Sequence, residues 1–406
     1  MDPIVLLANW FEGVLVGWGA PPWAVNLILS VLGIALLCTV MLLIAIWCVW
    51  VERKVVARFQ DRLGPNRIGP YGLFQPFTDI IKLLIKEDIE PKGIDKVPYN
   101  IAPILALATV LTLWAIIPLS PQVLGSDINV GVLFIVAIGA ISTLGIIMAG
   151  WSCNNKFALL GALREVATMI SYEVPMVIAL MIPVILASSM GINKIVESQS
   201  PLPYIFVIPL AAVIFLICSQ AELGRAPFDL SEAESEIVAG YHIEYSGMKF
   251  GMFYAGELLH AFTVGAIFSS LFLGGWSGPF VDRVPVLGVF YLFIKSLFIY
   301  WVIMWIKYTL PRLRIDHMLS FNWKFLTPLS LALLMVVAVL HKLLQNANPW
   351  VYILGMLVGN IAVGAIALAI SRRQVKVERK EFQTNRSVAR PPESSPTAPI
   401  PDSGGD

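Results

Sequence analysis

The chain contains repeated apolar runs of about twenty residues, and this feature restricts its fold more than any other. Folded as a helix, such a run is long enough to cross the roughly 30 Å hydrocarbon core of a bilayer. Only 14% of the residues are charged, whereas soluble domains contain about 25%. Membrane-spanning strands would alternate apolar and polar residues instead of forming long apolar runs. The sequence therefore predicts an all-α, polytopic membrane protein and argues against a soluble domain.

We expect about nine transmembrane helices within a transmembrane domain at 24–371. Their approximate bounds are 24–50, 99–119, 129–150, 166–188, 203–220, 252–274, 286–308, 326–343 and 350–371. Residues 1–23 contain several Trp and Phe side chains, which are typical of the membrane interface, and are predicted to form an N-terminal interfacial segment. Residues 372–406 form a predicted cytoplasmic tail, and its Pro- and Ser-rich end is expected to be disordered.

The distribution of Lys and Arg predicts how the chain is oriented in the membrane. If the N-terminus is outside, the inner segments hold 24 of the 28 basic residues and the outer loops hold three. Basic residues accumulate on the cytoplasmic side of membrane proteins. We therefore expect the N-terminus outside and the C-terminus in the cytoplasm. The net charge of +1 gives no indication of a nucleic-acid partner.

Two predicted cytoplasmic loops are longer than a connection between helices requires. The loop at 51–98 contains paired Gly-Pro turns, followed by apolar residues at helical spacing from 80 to 85 that predict an amphipathic helix on the membrane surface. The loop at 221–251 has a net charge of −4, which opposes the usual excess of positive charge inside. Part of this charge comes from three alternating glutamates, Glu232, Glu234 and Glu236. Spacing alone indicates a solvated acidic turn.

Carboxylates also lie inside the predicted spans or at their ends. They are Glu52, Glu173, Glu222 and Glu257. A charge at bilayer depth costs at least about 2.5 kcal/mol, so such a group is expected to face the protein interior or water, where it can relay protons. Glu52 and Glu222 are alternatively helix-end residues that reach the interface. Lys295, in the seventh span, is either an internal counter-charge or part of a structural ion pair.

Redox centres are not indicated in this chain. The four cysteines are scattered without a CxxC pair, which argues against an iron–sulfur cluster or a zinc site. A haem held by two histidines is a rival hypothesis, but only His260 lies well inside a predicted span. We therefore expect no metal and no cofactor bound by this chain, and no complete active site within it.

Several long segments resemble the family of quinone-binding membrane subunits of respiratory complex I, the bacterial NADH:quinone oxidoreductase. The matching stretches are ERKVVARFQDRLGPNRIGPYGLFQPFTDIIKLLIKEDIEP at 52–91, ISYE at 170–173, RAPFDLSEAESEIVAGYHIEY at 225–245, FGMFYAGE at 250–257 and RIDHMLSFNWKFLTPLSL at 314–331. They occur in the family's order, and the resemblance covers residues of roughly 20–370. Thr168, Leu258 and His317 depart from the family pattern but remove none of the carboxylates.

The resemblance implies a function that the residues alone do not. The chain would be a membrane component of a translocase, and it would help form a quinone chamber lined by Glu52, Arg53, Asp79 and Arg225. A carboxylate route coupling quinone reduction to proton translocation would consist of Glu173, Glu222, Glu232, Glu234, Glu236 and Glu257. Quinone would be the substrate. FMN and iron–sulfur clusters would reside in hydrophilic partner subunits, and antiporter-like subunits would be neighbours in the bacterial inner (plasma) membrane.

Two alternatives remain open at this point. The same fold occurs in membrane-bound hydrogenase and F420H2 dehydrogenase complexes, which differ in electron donor. A stand-alone ion-coupled transporter, from a different functional class, would also carry acids on its ion path. The long loop at 51–98 disfavours a transporter, and the sequence shows no internal repeat of the kind on which many transporters are built.

Overall fold

The computed structural model describes residues 3–17, 21–230, 237–281, 283–346 and 348–388. These residues form helices and connecting loops, and they contain no β-strand. In chain order the helices are α1 Pro3–Gly17, α2 Pro22–Phe59, α3 Gln75–Ile85, α4 Lys96–Leu113, α5 Gly131–Ser152, α6 Lys156–Ala187, α7 Ile192–Glu197, α8 Tyr204–Val207, α9 Pro209–Glu222, α10 Gly247–Phe272, α11 Val286–Thr309, α12 Ile315–Phe321, α13 Thr327–Leu344 and α14 Pro349–Val388.

In the described part of the chain, eight helical segments are long and apolar enough to cross a membrane. They are α2, α4, α5, α6, α10, α11, the continuous α12–α13 segment, and α14. Each of the nine predicted spans falls on a helix, so the predicted fold class is confirmed. Helix α14 continues to Val388, past the predicted end of the last span at residue 371.

The fifth predicted span is a broken and short helix. The helix bends at Ile208, which has non-helical dihedral angles, and Pro209 begins α9. Proline suits this first position because the missing N–H would have no partner there. Helix α9 has 14 residues, about 21 Å at 1.5 Å per residue, and is thus shorter than a full span. Its last residue, Glu222, is therefore placed within the bundle, where α9 packs against α6.

The first long loop, residues 60–95, folds back against α2. Gly72 makes this possible: its φ is +76°, and a Cβ atom there would lie 2.2 Å from the carbonyl oxygen of Pro65. The predicted amphipathic helix is confirmed as α3, which begins three residues after this turn. Ile81, Leu84 and Ile85 are exposed on it, and α3 contacts both α2 and α10.

Helix α10 lies at the centre of the bundle. Most of its length is buried, and it contacts α2, α4 and α11. By contrast, the apolar surface of α2 is largely exposed, as expected of a helix that faces lipid. Helix α2 is also longer than predicted and ends at Phe59 instead of residue 50. Glu52 therefore lies within the helix and is carried to the junction with α10 and α11.

Candidate functional site

Four charged side chains meet where α2, α10, α11 and the loop after α9 come together. They are Glu52, Arg225, Glu257 and Lys307, and we call them the ion-pair cluster. Lys307 Nζ lies 2.9 Å from Glu52 Oε1 and 3.9 Å from Glu257 Oε1. Arg225 Nε lies 3.1 Å from Glu257 Oε1, and Arg225 Nη2 lies 3.6 Å from Glu52 Oε2. Each carboxylate therefore contacts both cations, and the charges of the four groups cancel.

Burial makes this charge balance important. Arg225 is 1% exposed and Glu52 is 5% exposed. Burial acts to lower the pKa of Arg225, but the negative charges of Glu52 and Glu257 outweigh this effect and raise that pKa above its ordinary value. The Nη1 and Nη2 atoms of Arg225 make no hydrogen bond to any described residue. The guanidinium is thus held by the hydrogen bond from Nε to Glu257 and by the attraction of both carboxylates. Its Nη atoms can still donate hydrogen bonds to a further partner.

The end of helix α9 explains how Arg225 reaches this position. Gly224 has a φ of +59°, its N–H donates to Ala221 O, and the N–H of Arg225 donates to Gln220 O. This pair of bonds is the Schellman motif, in which a left-handed residue closes a helix. The motif reverses the chain immediately after Glu222 and directs Arg225 towards Glu52 and Glu257.

Two tyrosines from α11 complete the environment of Glu52. The hydroxyl of Tyr308 donates to Glu52 Oε1, and the hydroxyl of Tyr300 lies 3.5 Å from Oε2. With Lys307, these groups satisfy both oxygens of a carboxylate that is almost inaccessible to solvent. The alternative that Glu52 reaches out to the membrane interface is therefore wrong.

Lys307 and both tyrosines are site residues that were not predicted from the sequence. In the sequence Lys307 is one of the basic residues whose distribution predicts orientation. Lys307 lies seven residues after Tyr300, which places both side chains on one face of a helix. This spacing could have indicated that the two residues belong to one site. The partner across the bundle, Glu52, is 255 positions away in the chain. Only the fold brings it near.

A second polar region adjoins the cluster. A cavity of about 60 Å³ lies between α4, α5, α6, α9 and α10, and its lining includes Glu165, Glu222, Glu257 and His260. We call it the acidic cavity. At about 30 Å³ per molecule, it has room for about two waters. Its described lining residues include no Lys or Arg, so the charge balance of the ion-pair cluster does not extend here.

Glu257 belongs to both regions. Its Oε1 atom lies beside Arg225 and Lys307, and its side chain also lines the acidic cavity together with Glu222. The family resemblance implies a quinone-chamber role for Glu52 and Arg225 and a proton-route role for Glu257. The structure brings these three residues into direct contact.

The other predicted route residues are partly described. Glu173 lies on α6, close enough to Glu222 for the two carboxylates to repel each other. His242, in the loop before α10, was not predicted as a route residue. Its partial burial lowers the pKa of its imidazole, and Glu257 opposes this effect. Glu232, Glu234 and Glu236 lie outside the described residues.

Arg53 and Asp79 form a separate ion pair. Arg53 Nη1 donates to Asp79 Oδ2, which ties the end of α2 to the amphipathic helix α3. The Arg53 side chain is 39% exposed and the Asp79 side chain is 21% exposed. This pair therefore lies at an accessible edge between the two helices, unlike the buried cluster.

Lys295 is neither of the two things predicted for it, an internal counter-charge or part of an ion pair. Its ammonium donates to the carbonyl oxygens of Leu273, Gly275 and Ser277, at 2.8, 2.9 and 2.8 Å. These carbonyls follow the C-terminus of α10, where a positive charge also complements the helix dipole. The predictions of a counter-charge to the carboxylates and of an ion pair are both wrong, because Lys295 caps a helix and its loop.

The fold and the site together define a multi-pass helical membrane protein with a charge-balanced cluster beside an acidic cavity. The chain belongs to the NADH dehydrogenase family, whose sequence profile matches residues 32–338.

Curated relatives agree with this assignment. The chain is similar to the NADH-quinone oxidoreductase H subunit of Dehalococcoides mccartyi (strain CBDB1), with 48% identity over 290 residues, covering 71% of this chain and 80% of the relative. The Phocaeicola vulgatus protein of that name is 41% identical over 354 residues, covering 83% of this chain and 98% of the relative. The Brevibacillus brevis protein is 42% identical over 322 residues, covering 79% and 95%.

Proposed function

We propose that this chain is the membrane component of a proton-pumping NADH-quinone oxidoreductase that helps form the quinone chamber and couples quinone reduction to proton translocation. Family membership and the names of the relatives support the enzyme complex. The observation that carries the coupling role is the position of Glu257. One carboxylate contacts the cations of the ion-pair cluster and also lines the acidic cavity.

The quinone side consists of Glu52, Arg53, Asp79 and Arg225. Quinone carbonyl oxygens accept hydrogen bonds and gain negative charge as the ring is reduced, so cationic donors stabilise them. The Arg53–Asp79 pair lies at an accessible edge, and the free Nη donors of Arg225 lie deeper in the bundle. In this proposal the exposed pair meets the quinone or holds the loop that encloses it, and Arg225 senses the charge that develops.

In this proposal, the charge balance of the ion-pair cluster links the negative charge on the quinone to the protonation of Glu257. Negative charge arriving near the cluster attracts Arg225 and Lys307, which weakens their attraction for Glu257. A carboxylate that loses cationic partners in a buried site binds a proton more readily. Glu257 takes up this proton from the acidic cavity, and the route continues through Glu222 and Glu173 and includes Glu232, Glu234 and Glu236.

The proposed assembly follows from the incomplete chemistry of this chain. Electrons would arrive from FMN and iron–sulfur clusters held by hydrophilic partner subunits, and antiporter-like membrane subunits would move the pumped protons. Co-purification in mild detergent tests this directly. We expect the chain to bring down flavin, iron–sulfur subunits and NADH:quinone activity. Co-purification with a hydrogenase, or isolation of the chain alone as an active transporter, would contradict the proposal.

The proposal also includes a location in the bacterial inner membrane with the N-terminus outside and the C-terminus in the cytoplasm. Its support is the asymmetric distribution of Lys and Arg. In a variant without native cysteines, single cysteines at the exposed positions Ser126 and Asp61 should react with impermeant reagents from opposite sides. Reaction of both from one side would refute the orientation.

A further inference from the structure

Glu165 is a buried acidic residue without a role in the mechanism above. It lies on α6 and is 4% exposed, and its side chain lines the acidic cavity with Glu222 and Glu257. A charged group in such a position is unfavourable unless its surroundings stabilise it or it can bind a proton. Neither its position in the sequence nor the segments that carry the family resemblance singled it out.

The turn that positions Arg225 also makes room for Glu165. A Cβ atom on Gly224 would lie 2.5 Å from Glu165 Oε1, so the carboxyl group occupies space that any other residue at 224 would fill. Gly224 lies between Glu222, which lines the cavity, and Arg225, which belongs to the ion-pair cluster. The carboxyl group of Glu165 therefore packs against the backbone that joins the two regions.

We propose that Glu165 is a proton-carrying residue of the acidic cavity, exchanging protons with Glu222 and Glu257 through water. This inference rests on the proposed function and adds a member to its proton route. In each transfer, a carboxylic acid gives its proton to a water molecule, and that water gives a proton to the receiving carboxylate. The donor becomes a carboxylate, the acceptor becomes a carboxylic acid, and the total charge of the cavity is unchanged. No electron and no further reactant is required.

The shape of the site supports exchange by this route. The cavity has room for about two waters, enough to bridge carboxyl groups that line it together. A third titratable carboxyl would allow the cavity to hold a proton while Glu222 or Glu257 is ionised. Carboxylates that share a site repel each other, which favours passing a proton from one to the next.

The test uses the whole complex reconstituted in vesicles and compares Glu165→Gln with Glu165→Asp. Glutamine keeps the size of the side chain but cannot carry a carboxyl proton, whereas aspartate restores the carboxyl. We expect Glu165→Gln to lower quinone-dependent turnover and proton pumping by about tenfold or more, since positioned proton transfer contributes about 10²–10⁴-fold to rates. We expect Glu165→Asp to recover a large part of both. Glu197→Gln, at an exposed position on α7, serves as the matched control and should behave as wild type.

A second readout does not depend on activity. Infrared difference spectra of the complex, recorded with quinone oxidised and reduced, should lose a carboxyl C=O band in Glu165→Gln and regain a shifted band in Glu165→Asp. If Glu165→Gln prevents assembly, Glu165→Asp provides the test. A shifted carboxyl band together with turnover in the assembled aspartate variant supports the inference, and an assembled aspartate variant without the band overturns it.

The outcomes also separate this inference from the proposed function. Wild-type turnover and pumping in Glu165→Gln, with both lowered in Glu222→Gln, would overturn the role of Glu165 and leave the rest of the route standing. Wild-type values in both variants would overturn the cavity as a proton route altogether. Lowered values in Glu165→Gln with no recovery in Glu165→Asp and no change in the carboxyl bands would assign Glu165 a purely structural role.

Discussion

The ion-pair cluster and the acidic cavity share Glu257 but differ in how their charges are balanced. In the cluster, two carboxylates face two cations, and tyrosine hydroxyls occupy the remaining positions around Glu52. In the cavity, Glu165, Glu222 and Glu257 share the described lining with one histidine. Opposite charges close together stabilise the ionised forms, whereas neighbouring carboxylates destabilise each other. In the proposed mechanism the cluster therefore detects charge and the cavity moves protons.

The largest expected effect is on the stability of the cluster. Arg225→Ala would leave the buried Glu52 and the partly buried Glu257 facing Lys307 alone, and breaking a buried pair costs about 3–5 kcal/mol. We expect little assembled complex and a markedly lower melting temperature. Arg312→Ala is the control, because Arg312 pairs with Asp229 at 3.0 Å but is 38% exposed, and exposed pairs contribute about 0–1 kcal/mol. Equal effects of the two substitutions would contradict the account of the cluster.

Glutamate-to-glutamine substitutions should distinguish the two regions. Glu52→Gln removes a charge that Lys307 and Arg225 require. It should lower stability by about 1.5–3 kcal/mol, the contribution of a hydrogen bond to a charged group. Glu222→Gln removes a charge that a neighbouring carboxylate repels, so stability should be unchanged or higher. Thermal unfolding of the two purified complexes measures the difference, and a larger loss in Glu222→Gln would invert the comparison.

Lys295 provides a charged residue that belongs to neither region. Lys295→Met removes three hydrogen bonds to backbone carbonyls and a charge at a helix C-terminus, for which up to about 2 kcal/mol is expected. Stability should fall by about that amount, while the number of protons pumped per electron stays the same. A change in that ratio would show that coupling extends to the end of α10.

Arg53→Ala should have the smallest effect on stability. The pair with Asp79 is partly exposed, so we expect a change within about 1 kcal/mol. The apparent KM for quinone should rise by about tenfold, the equivalent of one contact of about 1.4 kcal/mol. Titration of turnover with quinone measures this. An unchanged KM, with the complex assembled, would remove Arg53 from the quinone side.

The fold could be predicted from the sequence because apolar runs report directly on the bilayer. Every predicted span falls on a helix, and the amphipathic helix α3 lies where residues 80–85 indicated it. The extension of α2 to Phe59 was not predicted, because the charged residues after position 50 are typical of a cytoplasmic loop even though they are also good helix formers. The break at Ile208 also has only a weak local signal, a proline inside an apolar run.

The site was predicted in part. Intramembrane carboxylates are rare and expensive, so Glu52, Glu222 and Glu257 could be selected from one sequence. Their partners could not, because Lys307 looks like an ordinary flanking charge and pairing over 255 positions is set by the fold. Glu165 was missed for a related reason. It lies before the predicted start of the fourth span at residue 166, whereas α6 begins at Lys156 and buries it.

The central claim is that Glu257 connects a charge-detecting cluster to a proton-moving cavity. The direct test measures turnover against quinone concentration and proton pumping in parallel, in reconstituted vesicles containing Glu222→Gln or Glu257→Gln complexes. Both substitutions should lower pumping and turnover together by about tenfold or more, and Glu257→Gln should also lower stability because it leaves Arg225 without one of its two carboxylates. Pumping per electron and turnover at wild-type levels in both variants would contradict the account.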